Sequence, residues 1–209
     1  MKGLIEKLEK LKKSELKKTV DSRMREFEEN GKDLDKIFSE LCFCIMTANF
    51  QAEKSMKIQE ELKSCFLTKS EKELAADLKR LGHRFPNLRA KFIAEAQKHH
   101  PTLKKNIESF SSEEEVREWV VANVKGLGFK EASHFLRNIG YKNLAIIDFH
   151  IVDILSDNKI IDKPKSKSLT KKRYLEIESV LRKLGEKAKL SQAELDLYLW
   201  YMETGKVLK

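Results

Sequence analysis

The chain is poor in cysteine, proline and glycine, and each scarcity removes a class of protein. Three cysteines in 209 residues cannot staple a disulfide scaffold, and none of them forms a Cys-x-x-Cys pair. Cys42 and Cys44 lie in the apolar run Leu41-Cys-Phe-Cys-Ile-Met46, where cysteine acts as a small hydrophobe, and Cys65 has few histidine neighbours. Buried thiols are therefore expected, with no metal site and no cofactor. No apolar run approaches the roughly 18–20 residues that cross a bilayer, and no secretory signal opens the chain. The expectation is a soluble, cytoplasmic protein working as a monomer. No convincing strand, internal repeat or long low-complexity tract is visible.

What is present is charge and helical periodicity. Forty-two Lys and Arg against 33 Asp and Glu give a net charge of +9, which suits a polyanion without proving one. Apolar residues at Leu4, Leu8, Leu11, Leu16, Val20, Met24 and Phe27 recur at close to 3.6 residues and predict a helix over Leu4–Phe27. Further helices are expected over Leu34–Thr47, Ala52–Cys65, Ser70–Leu81 and Leu88–His99, with a capping box in Ser70-Glu-Lys-Glu73. Pro86 and Pro101 punctuate the joins. Ser112, with acidic residues at 113–115, starts a helix that runs to about Val124. A helix over Lys130–Asn138 is closed by Gly140, and another runs from His150 to Leu155. The span Ser156–Ser168 reads as a basic loop, and helices Leu169–Leu184 and Ser191–Thr204 finish the chain. The fold class is all-α. It is expected to form two helical lobes, one of residues 100–168 and one of 1–99 plus 169–209, with the active site in the cleft between them.

The stretch Val124-Lys-Gly-Leu-Gly-Phe-Lys130 carries the chemistry. Gly126 and Gly128 can take backbone angles closed to other residues and let a ligand approach the chain. With the helix that follows they offer N–H donors and a positive dipole end to a phosphate, and Lys125 adds charge. An ordinary interhelical turn would also use two glycines. Lys130 stands at the start of the second helix, where a neutral amine could attack a sugar's anomeric carbon and form a Schiff base. It could equally be one more phosphate-binding lysine. Asp148 follows the buried run Leu144-Ala-Ile-Ile147. As a helix cap it would satisfy backbone N–H groups, and as a carboxylate it could take the nucleophile's proton and offset charge on the sugar.

The hairpin with Lys130-Glu-Ala-Ser-His-Phe-Leu-Arg-Asn138, and the later Ile146-Ile-Asp-Phe-His150, resembles the helix-hairpin-helix DNA glycosylase superfamily. Within it the chain is most similar to the archaeal-type 8-oxoguanine DNA glycosylase/AP lyases. The likeness extends to Leu41–Asn49, Gly82-His-Arg-Phe85 and the ending Asp196-Leu-Tyr-Leu-Trp200-Tyr through Thr204-Gly-Lys-Val-Leu-Lys209. The resemblance implies that Lys130 is the Schiff-base nucleophile and Asp148 the catalytic aspartate, acting on double-stranded DNA that contains 8-oxoguanine. It makes Trp200, His134 and Phe85 candidates for gripping a flipped base. Lys209, through its ammonium and a free terminal carboxylate, would tell 8-oxoguanine from guanine, since the oxidised base carries N7–H where guanine has an acceptor. Asn49 would fill the gap in the duplex or contact the orphan cytosine. Cluster-bearing relatives are excluded, because no cysteine follows Cys65. Three features depart from the pattern: no proline accompanies Gly140, Phe149 replaces an expected basic residue, and Gln51–Met56 is less glycine-rich. Two other readings stay open. A non-catalytic hairpin module would bind DNA without cleaving it, and a monofunctional glycosylase would generally lack a lysine at position 130.

Overall fold

The computed structural model describes residues 1–164, 166 and 168–209, and among them there is no β-strand. Thirteen α-helices follow in order: α1 (Lys2–Lys12), α2 (Leu16–Asn30), α3 (Leu34–Thr47), α4 (Ala52–Leu62), α5 (Cys65–Thr68), α6 (Glu71–Arg80), α7 (Pro86–Ala96), α8 (His100–Glu108), α9 (Glu113–Asn123), α10 (Phe129–Asn138), α11 (Phe149–Asp157), α12 (Lys171–Ala188) and α13 (Gln192–Thr204). No helix among the described residues is long and apolar enough to cross a membrane.

Several boundaries differ from the periodicity. The helix expected over Leu4–Phe27 is broken at residues 13–15. There the Ser14 hydroxyl donates to the Leu11 carbonyl at 2.7 Å and accepts from the Leu16 N–H at 3.3 Å, a local bond that competes with the helix ladder. The apolar phase survives the break, so Leu4, Leu8, Leu16, Val20, Met24 and Phe27 are all buried. The helix expected over Ala52–Cys65 stops at Leu62, where Lys63 turns to φ +42°. Pro101 does not end a segment; it occupies the first turn of α8, where its missing N–H costs nothing. The capping boxes at Ser70/Glu73 and Ser112/Glu115 both form. The basic loop 156–168 includes Lys165 and Lys167, which lie outside the described residues.

The buried apolar residues fall into two clusters. One gathers side chains from Ile37 to Leu144, and the other joins α1 and α2 to Ala145–Leu155 and to α12 and α13. This grouping differs from the expected lobes 1–99 plus 169–209 and 100–168. The first two helices pack with the last two, and the hairpin helix α10 packs on α3, burying Phe135 and Leu136 completely. Each such side chain contributes about 1.5–3 kcal/mol. The chain passes from one core to the other between Leu144 and Ala145, three residues before Asp148. Helix α10 lies at the same junction, with Ala132 and Phe135 in the first core and Phe129 packed on the second.

The two cores are pinned by a buried ion pair. The Arg117 guanidinium of α9 meets the Glu178 carboxylate of α12 through two parallel bonds of 2.6 and 2.9 Å. Glu178 also accepts the Ala145 N–H at 3.0 Å. Tyr174, one turn earlier, donates to the Ala145 carbonyl at 2.7 Å and accepts from the Ile147 N–H at 3.3 Å. Helix α12 thereby fixes the strand-like segment that delivers Asp148.

Candidate active site

The hairpin between α9 and α10 begins where α9 ends at Val124, whose side chain is buried with that of Leu127. Gly126 has φ +88°, and a Cβ there would sit 2.5 Å from the Phe92 ring. Only glycine fits on both counts. Gly128 does not need the freedom expected of it: at φ −95° and ψ −170° its backbone is open to any residue, and a Cβ would meet Glu131 at 3.4 Å. Its N–H is already held by the Glu131 carboxylate at 3.3 Å. Lys125 is exposed at the hairpin tip and pairs with Glu95 at 3.0 Å.

Lys130 is the second residue of α10. Its side chain is 29 % exposed, and the one carboxylate near its amine is Glu131, at a loose 3.9 Å. Counting along α10, Lys130, His134 and Arg137 stand at i, i+4 and i+7 and share one face. That face meets α3 at Phe43 and α13 at Asp196. Asp148 is the N-cap of α11 and accepts the Ile151 N–H at 3.0 Å through one oxygen. The other oxygen has no partner among the described residues.

The residue that ties this pair together is Asp196 of α13, which the sequence does not single out as a site residue. Its carboxylate is bonded to the Arg137 guanidinium. Burial raises its pKa to about 6 against the pull of Arg137, and the charges of Asp148 and Lys130 both act on it. Arg137 is itself pushed down, first by burial. Both partners thus shift toward their neutral forms, as expected where desolvation outweighs attraction. His134 is pushed well below its usual range by burial and then by Arg137 and Lys130, while the Lys209 backbone pulls the other way. It is a neutral imidazole near pH 7. The charges of Lys130, Arg137, Asp148 and Lys209 thus all bear on Asp196 or His134, which sets the six residues in one electrostatic neighbourhood.

The other expected residues separate into two groups. Trp200 follows Asp196 by one turn of α13, with the His150 ring edge-on to it at 5.1 Å. His134 lies edge-on to Phe43 at 5.6 Å, and the Lys209 amine sits 4.8 Å over that same Phe43 ring. The indole N–H of Trp200 is buried without a hydrogen-bond partner among the described residues, an uncommon state that suits a polar ligand. Phe85 and Asn49 lie elsewhere, at the corner after α3. Phe85 is flanked by the Arg84 and Arg89 guanidinium groups, and Arg89 donates to the Ala48 carbonyl at 2.5 Å. Asn49, next in the chain, is exposed and held at φ +59°, a conformation that asparagine tolerates better than most residues. Phe149, beside Asp148, is 57 % exposed. No cluster of metal-ligating side chains exists among the described residues.

An all-helical body that presents a lysine and a capping aspartate beside a glycine hairpin has the architecture of the helix-hairpin-helix DNA glycosylases. Comparison narrows the class. Residues 20–190 match the family described as 8-oxoguanine DNA glycosylase, and the chain belongs to that family. A relative from Korarchaeum cryptofilum, named 8-oxoguanine DNA glycosylase/AP lyase, is 52% identical over 206 residues, covering 99% of this chain and 98% of its own. The Methanocaldococcus jannaschii 8-oxoguanine glycosylase/lyase, solved in complex with DNA containing 8-oxoguanine, superposes with a TM-score of 0.95 at 50% identity, over 99% of each chain. The 8-oxoguanine DNA glycosylase of Thermotoga maritima gives 0.91 at 40% identity, over 100% of this chain and 99% of that one.

Proposed function

We propose that the protein excises 8-oxoguanine from double-stranded DNA and then nicks the abasic strand, using Lys130 as the nucleophile. The observation that carries this reading is a part-exposed amine beside a glycine hairpin, whose charge and that of the capping carboxylate Asp148 both act on the buried Asp196. The names and bound DNA of the relatives support it.

In this mechanism the hairpin N–H groups and Lys125 hold the backbone of the damaged strand. The flipped nucleotide enters between α10 and α13. The Lys130 amine forms a bond to C1′ as the N-glycosidic bond breaks, the departing base taking the bonding pair and a proton. Asp148 stabilises positive charge on the sugar and accepts the proton lost from the attacking nitrogen. Ring opening gives the imine. Loss of the C2′ proton then expels the 3′ phosphate, which cuts the strand, and water releases the lysine. The orphan N–H of Trp200 and the neutral His134 supply polar contacts to the base. Lys209 adds the choice between 8-oxoguanine and guanine, and Asn49, with Phe85 behind it, occupies the gap left in the duplex.

The test is strand cleavage of a duplex with one 8-oxoguanine beside an undamaged control. The expected result is cutting of the damaged strand only. The competing reading, a DNA-binding module without chemistry, predicts salt-sensitive binding to both duplexes and no product.

A further inference from the structure

Between Ile37 and Met46 every buried residue of helix α3 is apolar except Glu40, which is 4% exposed. A carboxylate there is costly unless its charge and lone pairs are matched. One oxygen accepts the Lys209 ammonium at 2.6 Å and Gln59 Nε2 at 3.1 Å, and the other accepts Asn138 Nδ2 at 2.9 Å. Gln59 is itself fixed by Ser39. Asn138 takes two N–H donors from Arg137, the partner of Asp196. A continuous polar line therefore runs from Asp196 on α13, through α10, to Glu40 on α3 and on to Lys209.

Asn138 and Gln59 are neutral, so among the described residues Lys209 is the one cation bonded directly to Glu40. Lys209 lies outside any helix, five residues beyond α13, so a bond that served stability alone would order it for few contacts. Residues 204–207 are already tied down nearby: Lys206 pairs with Glu53 at 2.5 Å, and Val207 packs on the second core. What the Glu40 bond adds is location. It draws Lys209 over Phe43 and sets its backbone beside His134, inside the pocket of Lys130.

We propose that Glu40 is a positioning residue for base recognition: held by Asn138 and Gln59, it anchors the Lys209 ammonium and so fixes where Lys209 meets the damaged base. The proposal rests on the reading of this pocket as the 8-oxoguanine site. It also assigns the ammonium to Glu40 and leaves the Lys209 backbone to face the base.

The experiment compares wild type, Glu40→Gln, Lys209→Met and the double variant on two substrates, an 8-oxoguanine duplex and a preformed abasic duplex. The readout is the ratio of excision rate to abasic nicking rate under single turnover, which general loosening of the fold would not move selectively. Each single variant is expected to lower that ratio at least about tenfold, the scale for truncating one member of a buried charge pair. The double variant should be no worse than either single one, because both remove the same bond. Should Glu40→Gln not fold, the double variant, which leaves no unpaired charge, and Lys209→Met carry the test. A wild-type ratio in Lys209→Met or in the double variant, or losses that multiply, would overturn the proposal. A wild type that nicks abasic DNA but spares 8-oxoguanine would instead remove the functional reading beneath it, and the Glu40 role with it.

Discussion

Glu178→Gln tests how the fold delivers Asp148, the aspartate proposed to act in catalysis. Arg117 and Glu178 are 1% and 4% exposed at their side chains, so the substitution leaves a guanidinium buried without its counter-charge. One carboxylate oxygen becomes an NH2 group that faces donors in either orientation: Arg117 and the Ala145 N–H at Oε1, or Arg117 alone at Oε2. Breaking a buried pair in this way costs about 3–5 kcal/mol. For a chain of this size each kcal/mol lowers Tm by roughly 2–4 °C, so a fall of about 6–20 °C is expected by circular dichroism. Replacing both partners with apolar residues (Arg117→Met, Glu178→Leu) should restore much of that loss, since neither leaves a lone charge. The same pair holds Ala145 three residues before Asp148, so 8-oxoguanine cleavage by Glu178→Gln should fall below the folded fraction measured under assay conditions. A loss under about 1 kcal/mol, or full specific activity, would refute the claim that this pair sets the Asp148 segment.

The two hairpin glycines should respond differently. Gly126→Ala forces a Cβ into the Phe92 ring at a positive φ and should cost about 1–3 kcal/mol in denaturant unfolding. Gly128→Ala should cost under about 1 kcal/mol; equal losses would contradict the assignment of strain to Gly126 alone. Asp196 gives a pH dependence of defined sign. Its folded pKa of about 6 lies above the ordinary aspartate value of 3.8, so the group penalises folding above pH 6, and the penalty is relieved as pH falls toward 4. Wild type should therefore gain on the order of 3 kcal/mol relative to Asp196→Asn between pH 7 and 4. A relative loss over that window would show the carboxylate to be stabilised by Arg137 rather than strained by burial.

The helices, the capping box at Ser70 and the placing of Lys130 and Asp148 at helix starts were legible because they rest on local rules: a 3.6-residue period, Ser with Glu three residues on, and glycines before a helix. The break at Ser14 was not, because the apolar phase continues through it and only a side-chain bond to the Leu11 carbonyl ends the helix. Helix α8 was hidden because Pro101 is as acceptable in a first helical turn as in a join. Gly126 and Gly128 look alike in sequence, and only the closeness of Phe92 separates them. Glu40, Arg137 and Asp196 carry no local signal at all. Each is a charged residue at a helical position whose partner lies at least 59 residues away, and only packing brings those charges together. The lobe boundaries were hard to read for the same reason: the chain changes core between two adjacent apolar residues, Leu144 and Ala145.

The central claim is that the Lys130 amine attacks the sugar. Borohydride reduction during turnover on an 8-oxoguanine duplex, followed by mass spectrometry of the trapped adduct, tests it most directly. The account predicts a covalent DNA adduct whose modified peptide contains Lys130, and none with Lys130→Gln. An adduct on another lysine, or trapping by Lys130→Gln as efficient as by wild type, would contradict it.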